Sequence, residues 1–163
     1  MILDLRGVFY TFSDVQDAPI SPKQFKFLLD SSEWHDLESG KTPANKAFKA
    51  LTERFSLAGG AIEKTLSLAS ATLKVNEDFV AAIRRLKDDS GGRLRVFAAS
   101  NISEDRYDIL RSNLQGWDIF DGIFISANLG ARKPDRAFYD RVLEGAGLTA
   151  ESAVLLITVQ KML

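Results

Sequence analysis

Two rhythms of apolar positions alternate along this chain. It opens on a short apolar run, Met1-Ile2-Leu3-Asp4-Leu5, that stops at Arg6-Gly7. This predicts a buried strand that gives way to a loop, with an aspartate at the strand's end. From Ser21 the spacing turns helical. Ser21 can cap, Pro22 suits the first helical position, and Gln24 completes a capping box. Thr42-Pro43 repeats the start signal ahead of Ala47, Phe48, Leu51 and Phe55 on one face. Gly59-Gly60 breaks the chain before a further helical stretch with Ile62, Leu66 and Leu68. Residues 14–72 therefore predict a small helical insertion after the first strand.

Beyond Asn76, a candidate cap, Phe79, Val80, Ile83 and Leu86 form an apolar stripe that stops at Ser90-Gly91-Gly92. The period then shortens. Leu94 to Ala99 is a strand candidate ending in Ser100-Asn101, and Ser103 with Glu104 and Asp105 starts the next helix. Ile119 to Ile125 is another strand candidate. Pro134 opens a helix through Phe138, Val142 and Leu143 that ends near Gly145 and Gly147, and Ala153 to Thr158 is a last strand. Strands alternating with helices at this spacing imply a parallel sheet, because each return to the same sheet edge needs a crossover of a dozen or more residues. The class is α/β, and ligands in such sheets bind beyond the carboxyl ends of the strands. Asp4, Ser100 and the loop toward Lys133 all fall there.

Composition narrows the chemistry. The 163 residues have the length of one domain plus a small insertion, and 45% hydrophobic against 26% charged residues is the balance of a globular protein with a core. Lysine and arginine number 21 against 22 acids, so the net charge of -1 gives no general pull toward nucleic acid or an anionic membrane. Phosphate recognition must then be local. The absence of cysteine removes thiolate metal sites, disulfides and cysteine nucleophiles, and the lone His35 cannot build a histidine cluster. No apolar run reaches the length of a spanning helix and no leader is evident, so a cytoplasmic protein is expected. His35 reads as a packing or surface residue, and Phe25, Phe27, Phe48 and Phe55 read as core or insertion interface rather than a substrate cage. Arg84, Arg85 and Lys87 read as a solvated helix face, and Gly91-Gly92 lacks the pattern of a dinucleotide site.

Taken singly, Asp4 reads as a turn former and Ser100 as a cap. Their combination with Lys133-Pro134 reads differently, because phosphoryl transfer needs an attacking carboxylate, donors for the equatorial oxygens and a cation to offset charge. Asp4-Leu5-Arg6-Gly7-Val8, Ser100-Asn101 and Gly130-Ala131-Arg132-Lys133-Pro134 resemble, in order and spacing, the first three motifs of the haloacid dehalogenase superfamily. Trp34-His35-Asp36-Leu37-Glu38-Ser39-Gly40, Trp117 to Phe120, and Ser126 to Pro134 are similar to the branch of phosphatases with a small helical cap. That branch includes N-terminal domains of epoxide hydrolases and the dehalogenase-like domains of fungal drimane-type terpene cyclases.

The resemblance implies a Rossmann-like core over residues 1–13 and 73–163, a helical cap over 14–72, and a small phosphorylated molecule as ligand. It implies Asp4 as nucleophile through an aspartyl-phosphate, Ser100 and the amide of Asn101 as phosphate donors, and Lys133 as the neutralising cation. Mg²⁺ would be held by Asp4 and the backbone carbonyl of Arg6. Two positions depart from the pattern. Arg6 stands where many members carry a second aspartate, and the fourth motif's acidic pair is replaced by Ile157 and Thr158. The further helix and strand expected after that motif are also missing, so a C-terminally truncated core with weak or no hydrolase activity is expected. The alternatives are a non-catalytic domain that binds a phosphorylated ligand or a protein, and the N-terminal part of a bifunctional terpene cyclase.

Overall fold

A computed structural model describes residues 1–157 apart from Asp14 and Gln16. The first strand, β1 (Ile2–Leu3), is followed by the short β2 (Tyr10–Thr11) and four helices: α1 (Pro22–Leu29), α2 (Ser32–Glu38), α3 (Ala44–Arg54) and α4 (Ala61–Ala71). Then come β3 (Lys74–Val75), α5 (Glu77–Asp89), β4 (Phe97–Ser100), α6 (Glu104–Asn113), β5 (Gly122–Ile125), α7 (Ser126–Leu129), α8 (Arg136–Ala146) and β6 (Leu155–Leu156). The main sheet has the order β5-β4-β1-β6 with every pairing parallel. The architecture is the expected α/β one, a Rossmann-like parallel sheet with helices.

Strand alternation sorts the side chains onto two faces. Leu3, Val96 and Ala98 pack with Val80, Ile83, Leu110 and Trp117 on one side, while Ile2, Phe97 and Ala99 pack with Phe138, Val142 and Ala146 on the other. Helices α1 to α4 gather around a third cluster of their own, built on Ile20, Leu28, Trp34, Leu51 and Ile62. The chain reaches these helices through β2 and leaves them through β3, which pair antiparallel with Tyr10 opposite Val75. This two-stranded stem, α2 and α7 have no counterpart in the sequence reading, because two-residue strands and one- or two-turn helices are too short to set up a period.

Local signals work where a side chain meets a backbone donor. Ser21 and Gln24 form the reciprocal capping box of α1, and Asn76 accepts from the amide of Phe79 to cap α5. Ser103 precedes α6 without a side-chain cap bond, Pro43 stands at the N-cap of α3 rather than inside it, and Asp135 rather than Pro134 precedes α8.

Two strand candidates are shorter than their apolar runs. The amide of Val96 bonds the Asp121 carboxylate at 2.7 Å instead of a neighbouring strand, so β4 begins at Phe97. Trp117–Ile119 winds into a 3-10 turn that buries Ile119, so β5 begins at Gly122. The last strand is likewise limited to Leu155 and Leu156, and position 158 lies outside the described residues. Leu86 is 48% exposed, off the stripe that Val80 and Ile83 bury. The basic face of α5 is paired rather than merely solvated, with Arg84 on Asp118 at 2.7 Å and Lys87 on Asp121 at 2.9 Å.

Candidate active site

The carboxyl ends of β1 and β4 and the loop after α7 deliver the expected residues to one place. Asp4 follows β1, and its Oδ2 lies 2.6 Å from the Lys133 ammonium, with both side chains largely covered. Its Oδ1 accepts from the Leu5 amide at 2.8 Å. Lys133 also donates from Nζ to the carbonyl of Ala99 at 3.0 Å, which aims the lysine across the end of β4. Asn101 clasps the lysine's backbone in both directions: its Oδ1 accepts from the Lys133 amide at 2.7 Å and its Nδ2 donates to the Lys133 carbonyl at 2.9 Å. The Asn101 side chain therefore positions the lysine loop. Ser100, almost fully buried, ends β4. Asp4, Asn101 and Lys133 are thus linked into one hydrogen-bonded network with Ser100 next in sequence to Asn101.

A cavity of about 240 Å³ opens beside this network, between the strand ends and helices α1, α2, α4 and α6. Its floor includes Arg6, Ser100 and Asn101, and its walls are mostly apolar, including Ile20, Phe25, Trp34 and Leu66. Phe25 accordingly lines this cavity as well as packing within the insertion, whereas Phe27 is exposed. The Arg6 guanidinium stacks 4.8 Å from the centre of the Phe12 ring. Tyr10 also lines the cavity, and burial pushes its phenol up to about 12, against the opposing pull of Arg6 and Arg106. It stays a neutral donor at physiological pH.

The helical insertion is fastened to the lysine loop by groups that the sequence reading left unassigned. Glu38, at the end of α2, accepts from Trp34 Nε1 at 3.0 Å and pairs with Arg132, the neighbour of Lys133, at 3.0 Å. The Ser126 hydroxyl, fully buried, donates to the Glu38 carbonyl at 2.6 Å and accepts from the Ile102 amide at 2.9 Å. At Gly40 a Cβ would stand 2.4 Å from the carbonyl oxygen of Ala127, and φ is +69°, so glycine alone lets the turn after α2 approach α7. His35 is half-buried on α2, away from the cavity lining.

A Mg²⁺ ion at the end of β1 would need several oxygen ligands, carboxylates above all. Asp4 brings one carboxylate, already engaged by Lys133 and the Leu5 amide. The pairing of Leu3 with Leu156 sets Ile157 level with Asp4, so the neighbouring strand brings hydrocarbon there instead of an acid. Among the described residues no three of His, Cys, Asp and Glu come together. These residues do not fit a Mg²⁺ site.

Among known proteins, the chain is 34% identical to the drimenol cyclase drtB of Aspergillus calidoustus over 94% of its own length, which spans 29% of that protein. It is 31% identical to the sesquiterpene phosphatase astK of Aspergillus oryzae, again over 94% of its length and spanning 76% of the phosphatase. The fold is similar to that of a HAD-family enzyme from Bacteroides thetaiotaomicron in its magnesium complex, with a TM-score of 0.71 at 15% identity, over 94% of this chain and 80% of the other. No protein-family model matches. No helix among the described residues is long and apolar enough to cross a membrane. A shared sheet order alone would leave the chemistry open, but the identity to a phosphatase across three quarters of that protein places this chain in the haloacid-dehalogenase-like hydrolase family.

Proposed function

We propose that this chain is a cytoplasmic phosphohydrolase of small phosphate esters whose alcohol is apolar, and that it turns over slowly. The observation that carries the reading is the Asp4–Lys133–Asn101 network beside an apolar cavity that Ser100 and Asn101 line. The phosphate sits at the strand ends, with the Ser100 hydroxyl and the Asn101 amide as donors and Lys133 offsetting its charge. The apolar walls under the insertion, residues 14–72, take the alcohol. An isoprenoid chain of the size handled by a sesquiterpene phosphatase suits such walls.

In the first step an Asp4 oxygen forms a bond to phosphorus while the ester P–O bond breaks, and the departing alkoxide takes a proton. Water then attacks the aspartyl-phosphate, releasing inorganic phosphate and restoring the carboxylate. Arg6, where many relatives of this fold place a second aspartate, offers no carboxylate to shuttle the proton, so it comes from solvent. Without metal ligation the attacking carboxylate and the phosphate repel each other with only local cations between them. Each 1.36 kcal/mol of lost transition-state stabilisation is about tenfold in rate.

The test is hydrolysis of p-nitrophenyl phosphate by purified protein beside Asp4→Asn. Low turnover that disappears in Asp4→Asn supports the reading, and equal rates for the two proteins sink it. The misfit for Mg²⁺ favours a second reading, in which the domain binds a phosphorylated ligand without turning it over. The span of 29% of a drimenol cyclase supports a third, in which the chain is the phosphatase-like part of a bifunctional cyclase.

A further inference from the structure

Arg106 lies in the first turn of α6, immediately after the Ser100–Ser103 segment, and faces the same cavity. Its guanidinium is half-buried and donates to the Ser70 hydroxyl of α4 at 3.0 Å. Among the described residues no carboxylate pairs with it, and Tyr10 is the ionisable group that interacts with it. Three other covered cations have acids: Lys133 has Asp4, Arg132 has Glu38 and Lys87 has Asp121. Burial accordingly presses the Arg106 guanidinium below its ordinary value, with the Tyr10 phenol as a weaker opposing influence.

A covered guanidinium with only neutral partners has lost hydration without gaining a counter-ion. A dianionic phosphate supplies one, and the planar fork of arginine suits two of its oxygens at once. Arg6 lines the same cavity. Divalent metal is what phosphate sites commonly use for this charge balance, and the residues beside Asp4 do not fit it.

We propose that Arg106 takes over the charge-balancing part of the metal, so that the cavity binds phosphate monoesters of apolar alcohols without any divalent cation. The proposal rests on the reading of the strand ends as a phosphate site and adds to it the residue that selects the dianion. Arg106 is then a specificity residue that separates the phosphorylated alcohol from the free alcohol, its hydrolysis product.

The experiment titrates the protein with n-decyl phosphate and, separately, n-decanol, below their aggregation limits, following Trp34-centred fluorescence and calorimetry in EDTA and in Mg²⁺. Arg106→Gln and Arg106→Lys are run beside the parent protein, with circular dichroism as the folding check. The expected result is decyl phosphate affinity in EDTA within twofold of that in Mg²⁺, and a loss of about tenfold or more in Arg106→Gln. Partial recovery is expected in Arg106→Lys, with decanol binding the same in all three proteins.

Decyl phosphate binding that appears only with Mg²⁺ overturns the proposal, as does undiminished binding by folded Arg106→Gln; both leave the phosphate-ester reading standing. Absence of decyl phosphate binding to the parent protein in either buffer sinks that reading as well. If Arg106→Gln does not fold, the EDTA and Mg²⁺ titrations of the parent protein and of Arg106→Lys still decide the matter.

Discussion

The two walls of the cavity are organised on opposite terms. On the sheet side polar groups are tied to one another within the fold: Asp4 to Lys133, Lys133 to Ala99 and Asn101. On the insertion side apolar surface dominates, and there the Ser70 hydroxyl of α4 accepts from Arg106 of α6. The first wall is set before any ligand arrives. The second has no polar frame of its own, so its shape depends on packing among Ile20, Phe25, Trp34 and Leu66. The two sides are therefore supported by different interactions, and different perturbations should separate them.

The largest effect is expected at Trp34, which stacks on Phe48, meets Phe25 edge-on and donates to Glu38. Trp34→Ala should cost about 3–5 kcal/mol in urea unfolding, because it leaves a cavity and an unpartnered carboxylate oxygen. Decyl phosphate binding should weaken along with decanol binding, a joint loss that marks the apolar wall. On the sheet side, Lys133→Met should cost roughly 2–4 kcal/mol by leaving Asp4 without its cation, a range reduced for its 21% side-chain exposure. Adding Asp4→Asn should recover part of that loss. Failure of the double variant to recover any of it would show that the two residues are not energetically paired.

A third probe is pH. The folded Tyr10 phenol keeps its proton to about 12 against an ordinary value of 10.0, so the unfolded chain loses this proton first. Stability is then full below pH 10 and falls as pH climbs from 10 toward 12, by about 2–3 kcal/mol. Tyr10→Phe should flatten that stretch of the stability curve, and an unchanged slope would contradict the burial of the phenol. The smallest effect is expected far from both walls, at Arg84, whose pair with Asp118 is half exposed. Arg84→Ala should leave the urea midpoint within error of the parent protein's and leave ligand binding untouched.

The sheet-side wall was the readable one. Asp4 and Ser100 stand at the ends of apolar runs and Lys133 on the loop that follows a third, and a parallel α/β sheet gathers the ends of such runs at one edge. The groups that join the insertion to the core were not readable, for physical reasons that differ by residue. Arg106 stands among Glu104, Asp105 and Asp108 and looks like one more charge on a solvated helix, until α4 covers it. Glu38 and Arg132 are 94 positions apart, and no local spacing connects them. Tyr10 belongs to a strand too short for an alternating pattern. The strand limits were misjudged where a side chain displaced the sheet, as Asp121 does at Val96.

The paired stem of β2 and β3 has one further consequence. Tyr10 and Val75 sit side by side, so the chain leaves the core and returns to it through a single doorway. The length of chain hung from such a doorway matters little to the core, since each doubling of a closed loop adds only about 0.6 kcal/mol of entropy. Whole helices could be gained, lost or exchanged between these two residues while Asp4, Ser100 and Lys133 keep their places, which makes the stem the natural graft point for building a new cavity wall on unchanged strand ends.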